Sequence, residues 1–236
     1  MGTVVVTGGT KGIGLSIVKT FLEAGDMVFA VYSSDEDAAE KLRDSGYENL
    51  RIKKCDVTDF DAVSALYNDI YREYGALDVS VHSAGVEISK MLAMITPEEW
   101  NKVIDINLNG IYNCCRCAVK KMLSKNSGRI INISSAAAIY PAAGQAAYAA
   151  SKAGVNALTK ALAKETARFK ITVNAVAPGY TEGAMADKYY ENNIDRIPMK
   201  RFARTEEIAS LVKFLASGEA EYITGSVYTI DGGLGA

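Results

Sequence analysis

Histidine is nearly absent from this chain of 236 residues, with His82 the only one. A histidine-rich zinc site is thereby excluded, and any Ser-His-Asp hydrolysis would have to run through that single residue. Neither charge is in excess. The 26 Lys and Arg against 28 Asp and Glu leave a formal net charge of −2, so no basic surface asks for nucleic acid or an anionic membrane. A run of about 18 apolar residues, the length a membrane span needs, is also missing. The nearest stretch, around Ala136 to Ala150, is broken by Pro141 and Gly144. The start, Met1-Gly2-Thr3-Val4-Val5-Val6, has no basic segment or cleavage site of a signal peptide, and Val6 stands where a myristoylation motif wants Ser or Thr. The four cysteines are Cys55, Cys114, Cys115 and Cys117, a spacing that suits neither a disulfide framework nor paired metal ligands. A cytoplasmic, soluble protein with reduced thiols is expected.

What is present is a 49% hydrophobic composition, enough for one sizeable core. Short β-branched runs alternate with longer amphipathic ones. Strands are predicted over Thr3–Thr7, Met27–Tyr32, Leu50–Lys54, Leu77–His82, Arg129–Ser134, Thr172–Ala177 and Ser226–Ile230. Helices are predicted near Ile13–Ala24, Asp35–Ser45, Phe60–Tyr74, Pro97–Lys121, Tyr148–Arg168 and Glu206–Ala216. Val4-Val5-Val6 and Ile130-Ile131 are apolar at successive positions, as strands covered on both faces should be. Gly25, Gly46 and Gly75 stand where helix C-terminal glycines belong, and Ser34-Asp35-Glu36-Asp37 offers an N-cap with acids in the first turn. Strict alternation implies a single doubly wound Rossmann-type α/β domain over 1–236, with about seven parallel strands and helices on both faces. The poorly patterned Tyr180 to Arg201, with Tyr189, Tyr190, Asn192 and Asn193, is expected to be a substrate loop or lid.

Between the first strand and first helix lies Thr7-Gly8-Gly9-Thr10-Lys11-Gly12-Ile13-Gly14. A dinucleotide fold needs backbone N–H groups to approach a pyrophosphate there, and a Cβ would obstruct them. A tight βα turn needs glycine in any case, so the loop alone is weak evidence. The end of the second strand distinguishes the nicotinamide cofactors, since an acid there binds a ribose 2′-OH and a base a 2′-phosphate. Tyr32 and Ser33 occupy it, neither acidic, and Lys11 is placed to meet a phosphate. Asp35, Glu36 and Asp37 come later and read as helix acids. NADP(H) is favoured.

Tyr148 and Lys152 are four apart, on one face of a helix. A tyrosine of pKa about 10 is a poor acid near neutrality, and a neighbouring ammonium is expected to pull that value down. Hydride transfer to a carbonyl needs such an acid to protonate the developing alkoxide. Ser135, at the end of a strand, could hydrogen-bond the carbonyl oxygen. A chance surface pair and a strand-end hydroxyl remain the bland alternatives.

Taken in order, the Thr7–Gly14 loop, Cys55-Asp56-Val57, Ser83-Ala84-Gly85, Asn107, Ser135, Tyr148-x-x-x-Lys152, Pro178-Gly179 and Asp231-Gly232-Gly233 resemble the short-chain dehydrogenase/reductase family over essentially the whole chain. Gly144-Gln145-Ala146-Ala147-Tyr148 and Tyr222-Ile223-Thr224-Gly225 look most like its 3-oxoacyl-[acyl-carrier-protein] reductase branch, with acetoacetyl-CoA reductases close by. The resemblance implies a reductase acting on a 3-oxoacyl thioester carried by acyl carrier protein or CoA, for fatty-acid or polyketide-like synthesis. Tyr148 would then be the acid, Lys152 would lower its pKa and hold the nicotinamide ribose, Ser135 would orient the carbonyl, and Asn107 would hold a water of a proton relay. Cofactor contacts would come from Gly8, Thr10, Lys11, Gly12, Ile13 and Gly14, from Tyr32 and Ser33, and from Asp56 and Val57. Ser83, Ala84 and Gly85 would border the adenosine side, and Pro178, Gly179 and Thr181 the nicotinamide. No metal is required.

The resemblance also implies a homotetramer, or a homodimer, through the helices beginning near Pro97 and Tyr148, whose Ala149, Ala153, Ala157, Ala161, Val103 and Val119 suit close packing. Two departures stand out: Ser83 replaces the family's Asn, and Gly183 its nicotinamide-carboxamide Thr, unless Thr181 serves. The alternatives are a reductase or dehydrogenase of a sugar, steroid or small ketone, and a non-catalytic NADP(H)-sensing protein. Core packing is expected for the three clustered cysteines, a satisfied strand-end imidazole for His82, and a helix start for Trp100. Lys125, Arg168 and Lys170 read either as solvated charges or as a basic docking surface for an acidic carrier protein.

Overall fold

In the computed structural model, which describes residues 2–183 and 194–236, seven parallel strands form one sheet in the order β3-β2-β1-β4-β5-β6-β7. The first half comprises β1 (Thr3–Thr7), α1 (Gly12–Glu23), β2 (Met27–Tyr32), α2 (Glu36–Arg43), β3 (Leu50–Lys54), α3 (Phe60–Tyr74) and β4 (Val79–His82). The second comprises α4 (Pro97–Ile104), α5 (Gly110–Leu123), β5 (Gly128–Ile133), α6 (Ala146–Thr166), β6 (Ile171–Pro178), α7 (Thr205–Ala216) and β7 (Val227–Ile230). This is a single Rossmann-type α/β domain.

The strands are buried because successive residues feed two different cores. Val4 and Val6 of β1 join Ile17, Val18 and Phe21 of α1 and Ile208 and Val212 of α7. Val5 points the other way, into a cluster with Tyr67 and Ile70 of α3, the α5 cysteines and Val155 of α6. Ile130 and Ile131 divide between the two faces in the same manner. Strand order reverses between β1 and β4, opening a crevice at their carboxyl ends.

Most element ends fall within a residue or two of expectation. The predicted helix over Pro97–Lys121 departs from it in detail. A capping box of Thr96 and Glu99 opens α4, a one-turn π segment (Asp105–Asn109) follows, and α5 resumes without leaving helical backbone. That π turn carries Asn107. Of the expected substrate loop, Tyr180–Gly183 and Ile194–Arg201 are described, whereas Tyr189, Tyr190, Asn192 and Asn193 lie outside the described residues.

Candidate active site

The glycine loop leaves the carboxyl end of β1 and enters α1. A Cβ on Gly14 would collide with the Gly8 carbonyl oxygen, so the first turn of α1 closes against the loop only without a side chain. Gly12 differs: its φ is +52° and its missing Cβ would meet nothing within 4 Å. Open space beside the N-terminus of a twelve-residue helix is what a pyrophosphate needs. The cradle therefore fits a dinucleotide. Thr10 is buried in the loop, Lys11 is exposed and Ile13 packs on the α1 core.

At the end of β2, Tyr32 Oη donates to Glu36 Oε2 at 2.6 Å, and Lys54 Nζ reaches Glu36 Oε1 at 2.5 Å. Asp35 caps α2 by accepting from Ala38 N–H and pairs with Lys11 at 3.3 Å. Both acids nearest Ser33 are thus matched by a cation. Asp56 Oδ1 accepts from the N–H and hydroxyl of Thr58, fixing the turn after β3, and Val57 is buried beneath it against Gly110. The departure at Ser83 is absorbed locally. Thr7 Oγ1 accepts from the N–H groups of Ser83 and Ala84, lacing the ends of β1 and β4 together without an asparagine.

Ser135, just past β5, Tyr148 and Lys152, on α6, and Asn107, on the π turn, converge at the same carboxyl edge. Tyr148 stands beside Ser135, near enough for the serine to favour the ionised phenol. Lys152 is buried and its Nζ donates to the Ile133 carbonyl oxygen at 2.8 Å. Asn107 is fully buried, its Oδ1 accepting from Val86 N–H while its Nδ2 donates to Val86 O and Ser151 Oγ. A Cβ on Gly85 would lie 3.3 Å from Asn107 Oδ1 and 3.6 Å from Lys152 Nζ, so Gly85 brings the β4 end close to both.

The expected depression of the Tyr148 pKa is not found. Burial pushes the phenol up to about 12, the neighbouring Ser135 opposing it and the Glu87 charge adding to it. Burial also pushes Lys152 down to about 8. The physical reason is that the ammonium, while it donates to Ile133 O, lies 5.8 Å from the centre of the Tyr148 ring, so its pull on the phenolate is outweighed by desolvation of both groups.

Pro178 ends β6, and Gly179 N–H donates to Ile230 O. Thr181 Oγ1 donates to the Gly179 carbonyl oxygen, which keeps its hydroxyl beside the turn. Gly183 has φ +125°, a backbone region that a threonine would enter only under strain. Sequence reasoning passed over Tyr140, whose hydroxyl donates to Asp231 Oδ2 at 2.8 Å and ties the loop after Ser135 to the C-terminal tail. It passed over Glu87 as well, and had Gln145 only as part of the run before Tyr148; the two bridge two walls of the cleft at 3.2 Å. Single polar residues in loops carry no periodic signal.

The remaining features fall away from the site. His82 is buried in the sheet, Nδ1–H donating to Asn132 Oδ1 and Nε2 accepting from Ser80 Oγ; burial pushes it down to about 4. Cys114, Cys115 and Cys117 are buried and burial raises their thiols. Trp100 sits in the first turn of α4. Lys125, Arg168 and Lys170 lie near the amino ends of β5 and β6, at the opposite edge of the sheet from the site.

Comparison with known proteins agrees with this geometry. The family profile described as enoyl-(acyl carrier protein) reductase matches residues 8–235. The chain is 40% identical over 237 residues to the 3-oxoacyl-[acyl-carrier-protein] reductase FabG of Staphylococcus aureus (strain N315), covering 97% of this chain and 96% of the relative. It is 39% identical to the FabG of Chlamydia muridarum over 98% of this chain and 96% of that one. It is also 39% identical to the FabG of Thermotoga maritima over 97% and 96%. The chain belongs to the short-chain dehydrogenase/reductase family. Members of that family are oxidoreductases of the C=O/CH–OH pair, and Ser135, Tyr148 and Lys152 are this short-chain reductase's candidate set for that chemistry.

Proposed function

We propose that the chain reduces the 3-keto group of an acyl thioester, on acyl carrier protein or CoA, to a 3-hydroxyacyl product at the expense of NADPH. The observation that carries this reading is the convergence of Ser135 and Tyr148 at one point of the carboxyl edge, with the buried Lys152 one helical turn on. Two neighbouring hydroxyls can serve one acceptor oxygen, as carbonyl reduction requires. NADPH, when bound in the glycine cradle, supplies the hydride for the carbonyl carbon. Ser135 holds the oxygen, Tyr148 Oη gives it a proton, and Lys152 stabilises the phenolate left behind. Asn107 fixes the Val86 backbone beside Lys152. The FabG relatives support the substrate class, and the cation-matched acids at the end of β2 support NADP(H) over NAD.

The test is loss of NADPH absorbance with acetoacetyl-acyl carrier protein, acetoacetyl-CoA and a panel of sugars, steroids and small ketones. The family profile's printed description favours a second reading, reduction of an enoyl thioester, which crotonyl-CoA in the same assay decides. Cofactor binding without turnover on any of these would leave an NADP(H) sensor.

On the same reading residues 1–236 act as one domain, with 180–201 bordering the substrate. No helix among the described residues is long and apolar enough to cross a membrane, in keeping with a cytoplasmic address. A homotetramer, or a homodimer, is part of the proposal. Ala153, Ala157 and Ala161 form an exposed stripe along α6 that suits close helix contact, whereas Val103 is buried within the chain. Sedimentation of the purified protein tests it.

A further inference from the structure

Glu87 has no part in the reading above. It stands two residues beyond Gly85, on the segment between β4 and α4, and its side chain is half-buried. Its Oε1 accepts from Ser89 Oγ at 2.7 Å and from Gln145 Nε2 at 3.2 Å. Gln145 is the N-cap residue of α6, three residues ahead of Tyr148. Lys90 N–H, donating to Gly144 O at 2.9 Å, closes the same seam. The carboxylate is thereby held at the junction of the two segments that carry Gly85 and Tyr148. Among the described residues no lysine or arginine pairs with it, and the adjacent Lys90 is engaged by Glu99. Its charge also reaches Tyr148, where it adds to the upward push on the phenol.

We propose that Glu87 is a specificity-determining residue, a fixed negative charge on the wall of the carbonyl subsite that admits neutral 3-oxoacyl thioesters and esters and turns away 3-oxo acids with a free carboxylate. The inference rests on the 3-oxoacyl reading and narrows its substrate class. In a 3-oxo acid the carboxylate is two bonds from the reacting carbon. Once the carbonyl oxygen lies between Ser135 and Tyr148, the carboxylate has no means of leaving their neighbourhood, whichever way the chain points. Two like charges held within a few ångströms in a partly dehydrated cleft repel by an amount worth about tenfold or more in affinity. A thioester or oxygen ester presents the same carbonyl without that charge.

Ethyl acetoacetate and acetoacetate make the matched pair of probes. The quantity to measure is the ratio of kcat/KM for the acid to that for the ester, in the wild-type protein, Glu87→Gln and Glu87→Asp. Glutamine keeps an oxygen acceptor for Gln145 and Ser89 and removes only the charge. The expected result is a rise of about tenfold in the acid-to-ester ratio in Glu87→Gln, a wild-type ratio in Glu87→Asp, and a wild-type ratio that climbs with added salt. An unchanged ratio in Glu87→Gln, or a parallel loss on both probes as a merely structural role would give, overturns the proposal. Calorimetric binding of the same two probes to the NADP+-loaded protein needs no turnover. A chain that reduces neither probe would therefore overturn the 3-oxoacyl reading, while the binding ratio still decides for or against the charge filter.

Discussion

Lys152 Nζ donates to the main-chain carbonyl oxygen of Ile133 at 2.8 Å, mooring the ammonium of α6 to the strand that presents Ser135 two residues further on. With Lys152 pushed down to about 8 and Tyr148 up to about 12, the lysine titrates nearer to neutrality. The reduction rate is expected to be highest below pH 8 and to fall as pH rises through an apparent pKa near 8, when the ammonium that stabilises the phenolate gives up its proton. Tyr148→Phe should lower kcat by about 10²- to 10⁴-fold at every pH. The pH profile of kcat/KM checks both. A profile without a break between neutrality and the tyrosine range would contradict this assignment.

Mooring the charge there has a stability cost with a definite sign. The folded pKa of Lys152 lies below the usual lysine value of 10.5, so between about 8 and 10.5 the unfolded chain holds the extra proton and stability rises with pH. At neutrality the full penalty stands, on the order of 3 kcal/mol for such a shift. Lys152→Met removes that penalty and forfeits one hydrogen bond worth about 1 kcal/mol. The variant is expected to be inactive yet more stable by about 2 kcal/mol in urea unfolding at neutral pH. A less stable variant would show that the bond to Ile133 outweighs the desolvation.

Gly12 and Gly14 should separate binding from folding. Gly14→Ala drives a Cβ into the Gly8 carbonyl oxygen and is expected to destabilise the fold by about 3 kcal/mol or more. Gly12→Ala meets open space and bears only the left-handed backbone strain, about 1 kcal/mol. It should nevertheless weaken NADPH binding about tenfold or more, because its methyl group enters the pyrophosphate cradle. Thermal unfolding alongside calorimetric titration with NADPH distinguishes the two, and equal behaviour of both variants would refute the division.

The sheet was legible in the sequence because burial on both faces leaves an unbroken apolar run, as in Val4-Val5-Val6, and because Gly75 and Asp35 mark helix ends by local chemistry. Tyr148, Lys152, Ser135 and Asn107 were legible as motif positions. Their electrostatics were not, since the spacing of Tyr148 and Lys152 says nothing of where an ammonium points or how dry its surroundings are. The π turn that carries Asn107 was hidden for a related reason: an extra residue in a helical turn leaves the surrounding helix pattern intact. Glu87 and Tyr140 became visible only as contacts between segments distant in sequence.

Cofactor choice is expected to depend on Lys11. Its exposed pairing with Asp35 contributes little to folding, so Lys11→Ala should leave thermal stability as it was. Loss of the cation should weaken NADPH binding by about tenfold, the effect of one charge-assisted phosphate contact, with NADH affinity little changed. Paired titrations with NADPH and NADH read this directly. Parallel weakening of both would place Lys11 at the pyrophosphate instead of the 2′-phosphate.

The lone histidine gives the chain an acid-sensitive step unrelated to catalysis. His82 is fully buried, its two ring nitrogens are engaged by Asn132 and Ser80, and its folded pKa is pushed down to about 4 from 6.5. Between those values the unfolded chain binds a proton that the folded chain refuses. Stability therefore rises with pH across this window and is fully present above it. The expected loss on going from neutrality to about pH 4 is on the order of 3 kcal/mol from this residue alone. His82→Gln keeps a donor and an acceptor in the network but does not titrate, so its urea midpoint should fall less steeply over the same interval. Carboxylates contribute to the slope in both proteins, and the difference between the two curves isolates the imidazole. Parallel curves would mean that His82 accepts its proton in the folded sheet, with Asn132 Oδ1 and Ser80 Oγ able to solvate the cation.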